Sequence, residues 1–566
     1  MEKFKPQKMV GWFDVGQLAS TGVRAVLSSV FGSYADKRET IASISEVKIH
    51  DEYANSNELW LDYISDTGDG FNPTFTMAQL IAKDQILVKT PNSDQKLPRA
   101  KVVVFGGDQV YPTPSRELYQ NRFIGPMDAA APWVKGGPEA DIYAVPGNHD
   151  WYDGLTNFVK IFCQGRWIGS WKTKQNRSYF AIQLTKNTWL WAIDIQLEAD
   201  IDKPQLDYFD IEVAKRMKKD DKVILCTAEP SWVYHTSKKA DSTYQNLEFF
   251  ERKYIADKGF EQILTLAGDL HHYAHYAQDK GQGKVHHKIT AGGGGAFMHP
   301  THNLPDKLIN MKEGDFELKA AFPEKKTSRS MAFGDVFFPF YNFSFGVFLA
   351  VIHLLFAWSL HIASAFDASP GDIFTEIREL GISEICSVYS RLLITFSHSP
   401  IAIAILAIFV VGFYKFCDVN SSKLKYIGIL GAIHGVLHVV LMMVSLWVFS
   451  YLNYSVFHIT GPVTGPLALA AEAFVIGGGL AGALTGFYLL FCNLVFGIHD
   501  NEAFSAMKIE GYKNFLRMHF KDNQLTIYPI GLKKSATWKA QKDNKYTTSD
   551  EIIPELIESP IIINLQ

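Results

Sequence analysis

Near the middle of the chain, Ala267–Tyr276 reads AGDLHHYAHY and places one aspartate and three histidines within ten residues. Imidazole and carboxylate both ligate metals, yet a histidine cluster alone also suits a stacked or capped interior. Three other clusters share its form: Ser65-Asp66-Thr67-Gly68-Asp69-Gly70, Gly106-Gly107-Asp108-Gln109 and Gly147-Asn148-His149-Asp150. Each sets carboxylate, amide or imidazole among glycines just after a short apolar run. A structural turn explains any one of them. Four together are the donor set for two divalent ions, provided the fold gathers them.

The elements that must do the gathering are legible as runs. LWLDYIS, KVVVFGG, ADIYAVPG, TWLWAIDI, KVILCTA and QILTLAG each read as a buried strand, with room for a helix between several of them. This alternation predicts an α/β layered fold, in which ligands bind where strand carboxyl ends converge.

The order of the clusters, with the strings GGDQVYP, VPGNHDWYDG and AGDLHHY, resembles the calcineurin-like metallophosphoesterase superfamily over roughly residues 58–300. The resemblance implies an α/β four-layer αββα sandwich with a dinuclear metal site at one edge of its sheets. It implies that Asp66 ligates one metal, that Asp108 bridges both, that Asn148 supplies an amide ligand to the second and that His271 ligates the first. His149 matches the catalytic histidine that serves the leaving group or a phosphate oxygen, with Asp150 beside it. The activity implied is phosphoester hydrolysis, an activated hydroxide attacking phosphorus in line.

The departures from the family pattern are specific. Gly68 stands where the first motif usually has histidine, Ala228 where the fourth does, and Asp269 where the last motif has the first of its two histidines. With Asp269 and His271 as ligands the set is rich in oxygen, which favours Mn or Mg over a zinc pair, Fe and Zn staying open. Asp69 and Glu229 are candidates to compensate at the first two gaps. His299 and His302, in AGGGGAFMHPTH, could add an imidazole or contact phosphate; plain turn structure fits them equally. His272 and His275 read as supporting hydrogen-bonders. Arg116 and Arg122 are candidates to grip a substrate phosphate, against a solvated helix face.

The rest of the chain differs in kind. Residues 342–366, 397–416, 426–451 and 466–497 are almost uncharged, and each can supply the ~20 residues of a spanning helix. They predict a transmembrane bundle of four spans. Lys325, Lys326 and Arg329 precede the first, Lys415, Lys423 and Lys425 lie between the second and third, and Lys508, Lys513 and Arg517 follow the fourth. The positive-inside rule then places both termini and the phosphoesterase domain in the cytoplasm. Gly478, Gly482 and Gly486 could pack helices, including a second copy of the chain. His434 and His438 share one helix face, as metal ligands, proton carriers or interhelical hydrogen-bonders.

The organisation expected is an N-terminal segment over 1–57 with a possible interfacial helix at Gln17–Phe31, a phosphoesterase domain over 58–330 and a transmembrane region over 340–498. Residues 504–566 follow as a β-hairpin turning at Asp522-Asn523 that docks on the phosphoesterase domain, with Ala536–Asp550 as a loose tail. A net charge of −4 without a basic excess argues against nucleic acid as a partner, and five scattered cysteines argue against a disulfide framework. The expectation is a membrane-anchored, metal-dependent phosphoester hydrolase, its substrate lipid-linked or a nucleotide. Loss of three imidazoles leaves a second possibility, a catalytically inactive fold retained as a binding or regulatory domain.

Overall fold

The computed structural model describes residues 3–20, 22–23, 37–90, 94–195, 200–237, 242–365, 377, 380, 382–417, 426–542 and 545–566. They form two compact units: residues 1–10, 19–330 and 508–566 make the first, residues 11–18 and 331–507 the second.

In the first unit all six apolar runs are strands. The strands that frame the site are β1 Glu58–Ile64, β2 Val102–Phe105, β3 Ala140–Ala144, β4 Thr188–Ala192, β5 Lys222–Cys226, β6 Glu261–Ala267, β7 Tyr273–Gly281, β8 Lys284–Ala291, β9 Lys513–Lys521 and β10 Gln524–Leu532. β1, β2 and β3 run parallel within a nine-stranded sheet, and β4, β5, β6 and β8 within an eight-stranded one. Every residue of β2 and β5 is buried, as befits parallel strands covered on both faces. Side-chain alternation serves two cores at once. Leu61, Tyr63, Val102 and Val104 meet Leu190, Ile224 and Leu264 of the other sheet. Their neighbours Ile64, Val103 and Phe105 turn to Met77, Leu80 and Phe123. On the second sheet Trp189, Trp191 and Val223 likewise turn away to Phe209, Trp232 and Phe250.

β9 arrives from far along the chain and lies antiparallel between β1 and β10, Leu61 opposite Met518 and Asp62 opposite Arg517. Asp522 and Asn523, with φ of 52° and 57°, close the β9–β10 hairpin, and these short polar side chains tolerate that left-handed backbone. Arg517 donates to both carboxylate oxygens of Asp62 at 2.8 and 2.7 Å in a fully buried pair. Lys513 is buried as well. Two of the three positive charges that follow the last apolar segment are thus committed to the sheet. The expected loose tail is also packed: Trp538 meets the Phe75 ring edge-on at 4.7 Å, and Tyr546 meets it at 5.2 Å. Two large aromatic rings outweigh the polar composition around them.

In the second unit the long helices are α1 Phe343–Ala365, α2 Ile385–Ser397, α3 Pro400–Phe416, α4 Ile427–Tyr451 and α5 Gly478–Phe496. Three helical stretches, Phe343–Ser364, Ile427–Val456 and Thr464–Phe496, are long and apolar enough to cross a membrane. The second expected span is different. α3 has 17 residues and meets α2 at a bend of 96°, so the pair adds a fourth crossing only if it acts as one broken span. Proline sets the break: Ser399 caps Ala402 N, and Pro400 occupies the first helical turn, where its missing N–H costs nothing.

The glycine row of α5 is covered by its own chain. A Cβ on Gly478 would meet Ala350 at 2.5 Å, on Gly482 Pro339 at 3.3 Å, and on Gly486 the Asp335 carbonyl at 2.2 Å. The face that the sequence offered to a second copy is therefore used within the unit. His434 and His438 place their Nε2 atoms 3.1 Å apart, and the Thr485 hydroxyl of α5 lies 3.5 Å from His438. Of the N-terminal segment, Phe13 packs edge-on against Phe338 and Phe345. Most of Gln17–Phe31 lies outside the described residues.

Candidate metal centre

Strand polarity brings the four clusters to one end of the two sheets. Asp66 follows β1, Asp108 follows β2, Asn148 and His149 follow β3, and Asp269 follows β6. Asp66, Asp108 and Asp269 all adopt left-handed backbone, with φ of 56°, 50° and 64°. Such strain at three strand ends persists only where surroundings enforce it, and it clusters at functional sites. The enforcement is visible: Asp66 N donates to Gly107 O at 3.0 Å and Asp269 N to the Asp66 carboxylate at 3.0 Å. Glycine is needed at the crossings. A Cβ on Gly147 would meet Asp108 Oδ1 at 2.0 Å, and one on Gly268 would meet Ser65 Oγ at 1.8 Å.

The centre of the cluster is a residue that the motif reading passed over. The Tyr111 hydroxyl lies 3.0 Å from Asp66 Oδ1, 3.3 Å from Asp108 Oδ2 and 2.9 Å from His271 Nε2. His271 is aimed there because its Nδ1 bonds to the Phe297 carbonyl at 2.8 Å. His149 N donates to Asp108 Oδ1 at 2.9 Å, while its Nδ1 donates to the Pro112 carbonyl at 2.7 Å. That bond puts the ring proton on Nδ1 and leaves Nε2 basic. The signal for Tyr111 was its place three residues after Asp108 in GGDQVYP.

Other expected residues lie elsewhere or act differently. Asp150 turns back into the loops: its oxygens accept from Gly147 N at 2.9 Å, Gln109 N at 3.3 Å and the Tyr119 hydroxyl at 2.5 Å. Pro112, not Asp150, holds the His149 ring. Asp69 does not fill the gap at Gly68; it accepts from Val10 N at 2.7 Å and pairs with Arg122. A side chain at position 68 has no space, since a Cβ there would lie 2.1 Å from the Gln109 carbonyl. Arg122 is buried and donates to the carbonyls of Asp69 and Lys8, so it anchors the N-terminal strap instead of a substrate phosphate. Arg116 stands exposed at the start of a short helix. Asp269 Oδ2 accepts from the Tyr234 hydroxyl at 2.5 Å, and Glu229 adds its charge beside that tyrosine. His299 stacks on His271 with ring centres 4.0 Å apart, whereas His302 is held by the Ser328 hydroxyl at 2.9 Å. His275 bonds to Glu558 and His287, each at 2.9 Å, and to none of the candidate ligands.

The electrostatics fit a cation. Burial and the neighbouring Asp269 push Asp108 up to about 8, and burial with Asp108 and Asp269 raises Asp66 well above the carboxylate range. Burial also lowers His271 and His149, leaving both neutral. Buried carboxylates short of positive charge beside a neutral imidazole are a metal donor set. The Asn148 Oδ1 atom is buried without a hydrogen-bond partner, as an amide ligand awaiting an ion would be. Among the described residues no three His, Cys, Asp or Glu side chains close a metal site by themselves. The Tyr111 phenol adds an oxygen to this cluster.

Residues 59–273 match the family model of the calcineurin-like phosphoesterases, and this stretch is a calcineurin-like phosphoesterase domain. Among solved structures, the purple acid phosphatase PPD1 from yellow lupin (Lupinus luteus) seeds is similar at 11% identity with a TM-score of 0.29, over 43% of this chain and 45% of that one. A structure of PhoD is similar at 12% identity with a TM-score of 0.30, over 47% of this chain and 63% of that one. The chain thus spans less than two thirds of either. No curated protein matches it.

Proposed function

We propose that the chain is a metal-dependent phosphoester hydrolase carried by a membrane-spanning helical unit. The observation that carries this is the buried convergence of Asp66, Asp108 and His271 on the Tyr111 hydroxyl. Asp66, Tyr111 and His271 would hold one ion, Asn148 and Asp269 the other, with Asp108 shared between them. The donors are mainly oxygen, which favours Mn²⁺ or Mg²⁺. Two such ions supply Lewis acidity for phosphoryl oxygens and lower the pKa of a nucleophilic water.

The chain's own residues do the rest. The Asp108 carboxylate and the His149 backbone are locked together, so the imidazole keeps a constant distance from the ion-holding oxygens. His149 Nε2 would accept the proton lost by the attacking water and return it to the leaving oxygen. Its charged form is disfavoured by burial but gains the phosphoester's negative charge as partner. Glycines 292–295 let the backbone approach the site closely and exclude side chains from it.

The reading extends to a four-layer αββα sandwich, supported by the three cores around the two sheets. It extends also to four crossings. β9 pairs with β1, so the chain before and after the helical unit must lie on one side of a membrane, and the crossings must be even in number. Three long spans with the bent α2–α3 pair as a fourth meet that condition. Lys325, Lys326 and Arg329 before α1 support the cytoplasm as that side. The domain limits follow as 58–330 joined by 504–566, interrupted by 340–498. Membrane attachment favours a lipid-linked phosphoester.

The test is hydrolysis of a generic aryl phosphodiester and monoester by the purified chain with Mn²⁺, Mg²⁺ or Zn²⁺. Turnover in at least one combination is expected. No turnover with any ion, together with no metal retained by elemental analysis, would leave the inactive-fold reading instead.

A further inference from the structure

The segment that follows the helical unit returns to the metal centre. Lys513 and Asn514 open β9, and both are buried. Lys513 Nζ donates to the Ala296 carbonyl, and Asn514 N donates to the Gly293 carbonyl at 3.0 Å. These bonds grip both ends of the glycine loop 293–296. The loop's other side is tied to the first metal motif: Gly294 N donates to Ser65 O at 2.8 Å and Ala296 N to Asp66 O at 2.9 Å. The next residue, Phe297, provides the carbonyl that orients His271 at 2.8 Å.

The fit leaves no slack. A Cβ on Gly293 would stand 2.1 Å from the Asn514 amide nitrogen, and one on Gly294 would stand 2.3 Å from the Ser65 carbonyl. Among the described residues no carboxylate lies within ion-pair distance of Lys513. Burying an ammonium is costly, and here its hydrogen bond goes to the Ala296 carbonyl while the charges of Asp69, Glu510 and Asp66 act on it from further away. Ala296 is one peptide away from the carbonyl that aims His271 Nε2 at the Tyr111 hydroxyl.

We propose that Lys513, with Asn514, is a positioning residue of the phosphoesterase site: it pins loop 293–296 so that Phe297 aims His271 at the Asp66–Asp108 pair. This rests on the reading of that cluster as a metal centre. Its consequence is that a phosphoesterase domain ending before the helical unit lacks part of its site. The chain after the last helix is a structural component of the metal centre, although 240 residues separate Lys513 from Tyr273, where the family match ends.

The experiment compares the full-length wild type with K513M and K513R, purified in detergent. Hydrogen–deuterium exchange of the peptide covering 292–298 is expected to be about tenfold faster in K513M, with peptides from β4 and α4 unchanged. The Mn²⁺ concentration for half-maximal hydrolysis of the aryl phosphodiester is expected to rise on the order of 10–100-fold, with KM at saturating Mn²⁺ little altered. K513R, which keeps a donor for Ala296, is expected to recover most of both losses. Wild-type exchange over 292–298 in K513M overturns the proposal, as does an unshifted Mn²⁺ midpoint in an active wild type. A wild type that neither hydrolyses nor retains metal overturns the phosphoesterase reading alone, and the exchange measurement still decides whether Lys513 holds the loop. If K513M does not fold, K513Q replaces it and is judged by the same exchange criterion.

Discussion

At the scale of single residues, the candidate centre is an exchange of imidazoles for oxygens. Position 68 cannot hold a histidine because the Gln109 carbonyl fills the space, and the Tyr111 hydroxyl reaches the shared point instead. Tyr111→Phe is therefore expected to weaken Mn²⁺ binding about 10–100-fold while leaving the fold intact, as measured by metal titration. His149→Ala should lower kcat by roughly 10²–10⁴ with metal content unchanged, because the residue handles a proton and is not placed as a ligand. Unchanged kcat would show that another group serves the leaving oxygen. Arg122→Met should act in the opposite sense from a phosphate-gripping residue. It breaks a buried pair with Asp69 and is expected to cost about 3–5 kcal/mol of stability without raising KM.

At the scale of elements, the parallel strands present their carboxylates close together, which favours a bound cation or proton. Asp108 has a folded-state value raised from 3.8 to about 8 in the absence of metal. A raised value means that its contribution to stability is complete below pH 3.8 and is lost as pH rises through about 8. Chelated protein should accordingly melt at progressively lower temperature between pH 5 and 8, in the window of that shift, and added Mn²⁺ should remove the trend. A melting temperature that is flat across this window in chelator would contradict the placement of Asp108 in a cation-binding cluster. The β1–β9 junction makes a separate prediction. Asp62→Ala leaves Arg517 buried without its carboxylate and should cost about 3–5 kcal/mol, read as a lowered midpoint in thermal or denaturant unfolding.

For the whole molecule, the sheet bears on the proposed membrane topology. If the helical unit crosses a membrane as proposed, β9 beside β1 puts both of its flanks in one compartment. The expected labelling pattern in intact cells follows. A cysteine placed at Val463, in the loop before the last apolar stretch, should react with a membrane-impermeant maleimide from outside, on a background of the five native cysteines replaced. Cysteines at Lys326 and Lys534 should react only after permeabilisation. Labelling of Lys326 and Lys534 positions from opposite sides would be incompatible with the pairing of β1 and β9 in the membrane-inserted protein.

What the sequence by itself determined is what depends on neighbours along the chain. Strand runs, glycine turns and long apolar helices follow from short-range periodicity and length, so the six runs and the metal-type clusters behind them were legible, as was the family. Tertiary structure decided what depends on distant neighbours. The place of Tyr111 three residues after Asp108 is local, but its contact with Asp66 and His271 is not, and nothing local separates Asp69, which anchors the N-terminal strap, from Asp66, which faces His271. Nothing local marks Lys513 and Arg517 as interior residues instead of flanking membrane charges. A positive charge beside an apolar helix looks the same in either case. Only the insertion of β9 between β1 and β10 buries the two, giving one to Asp62 and the other to the loop that aims His271.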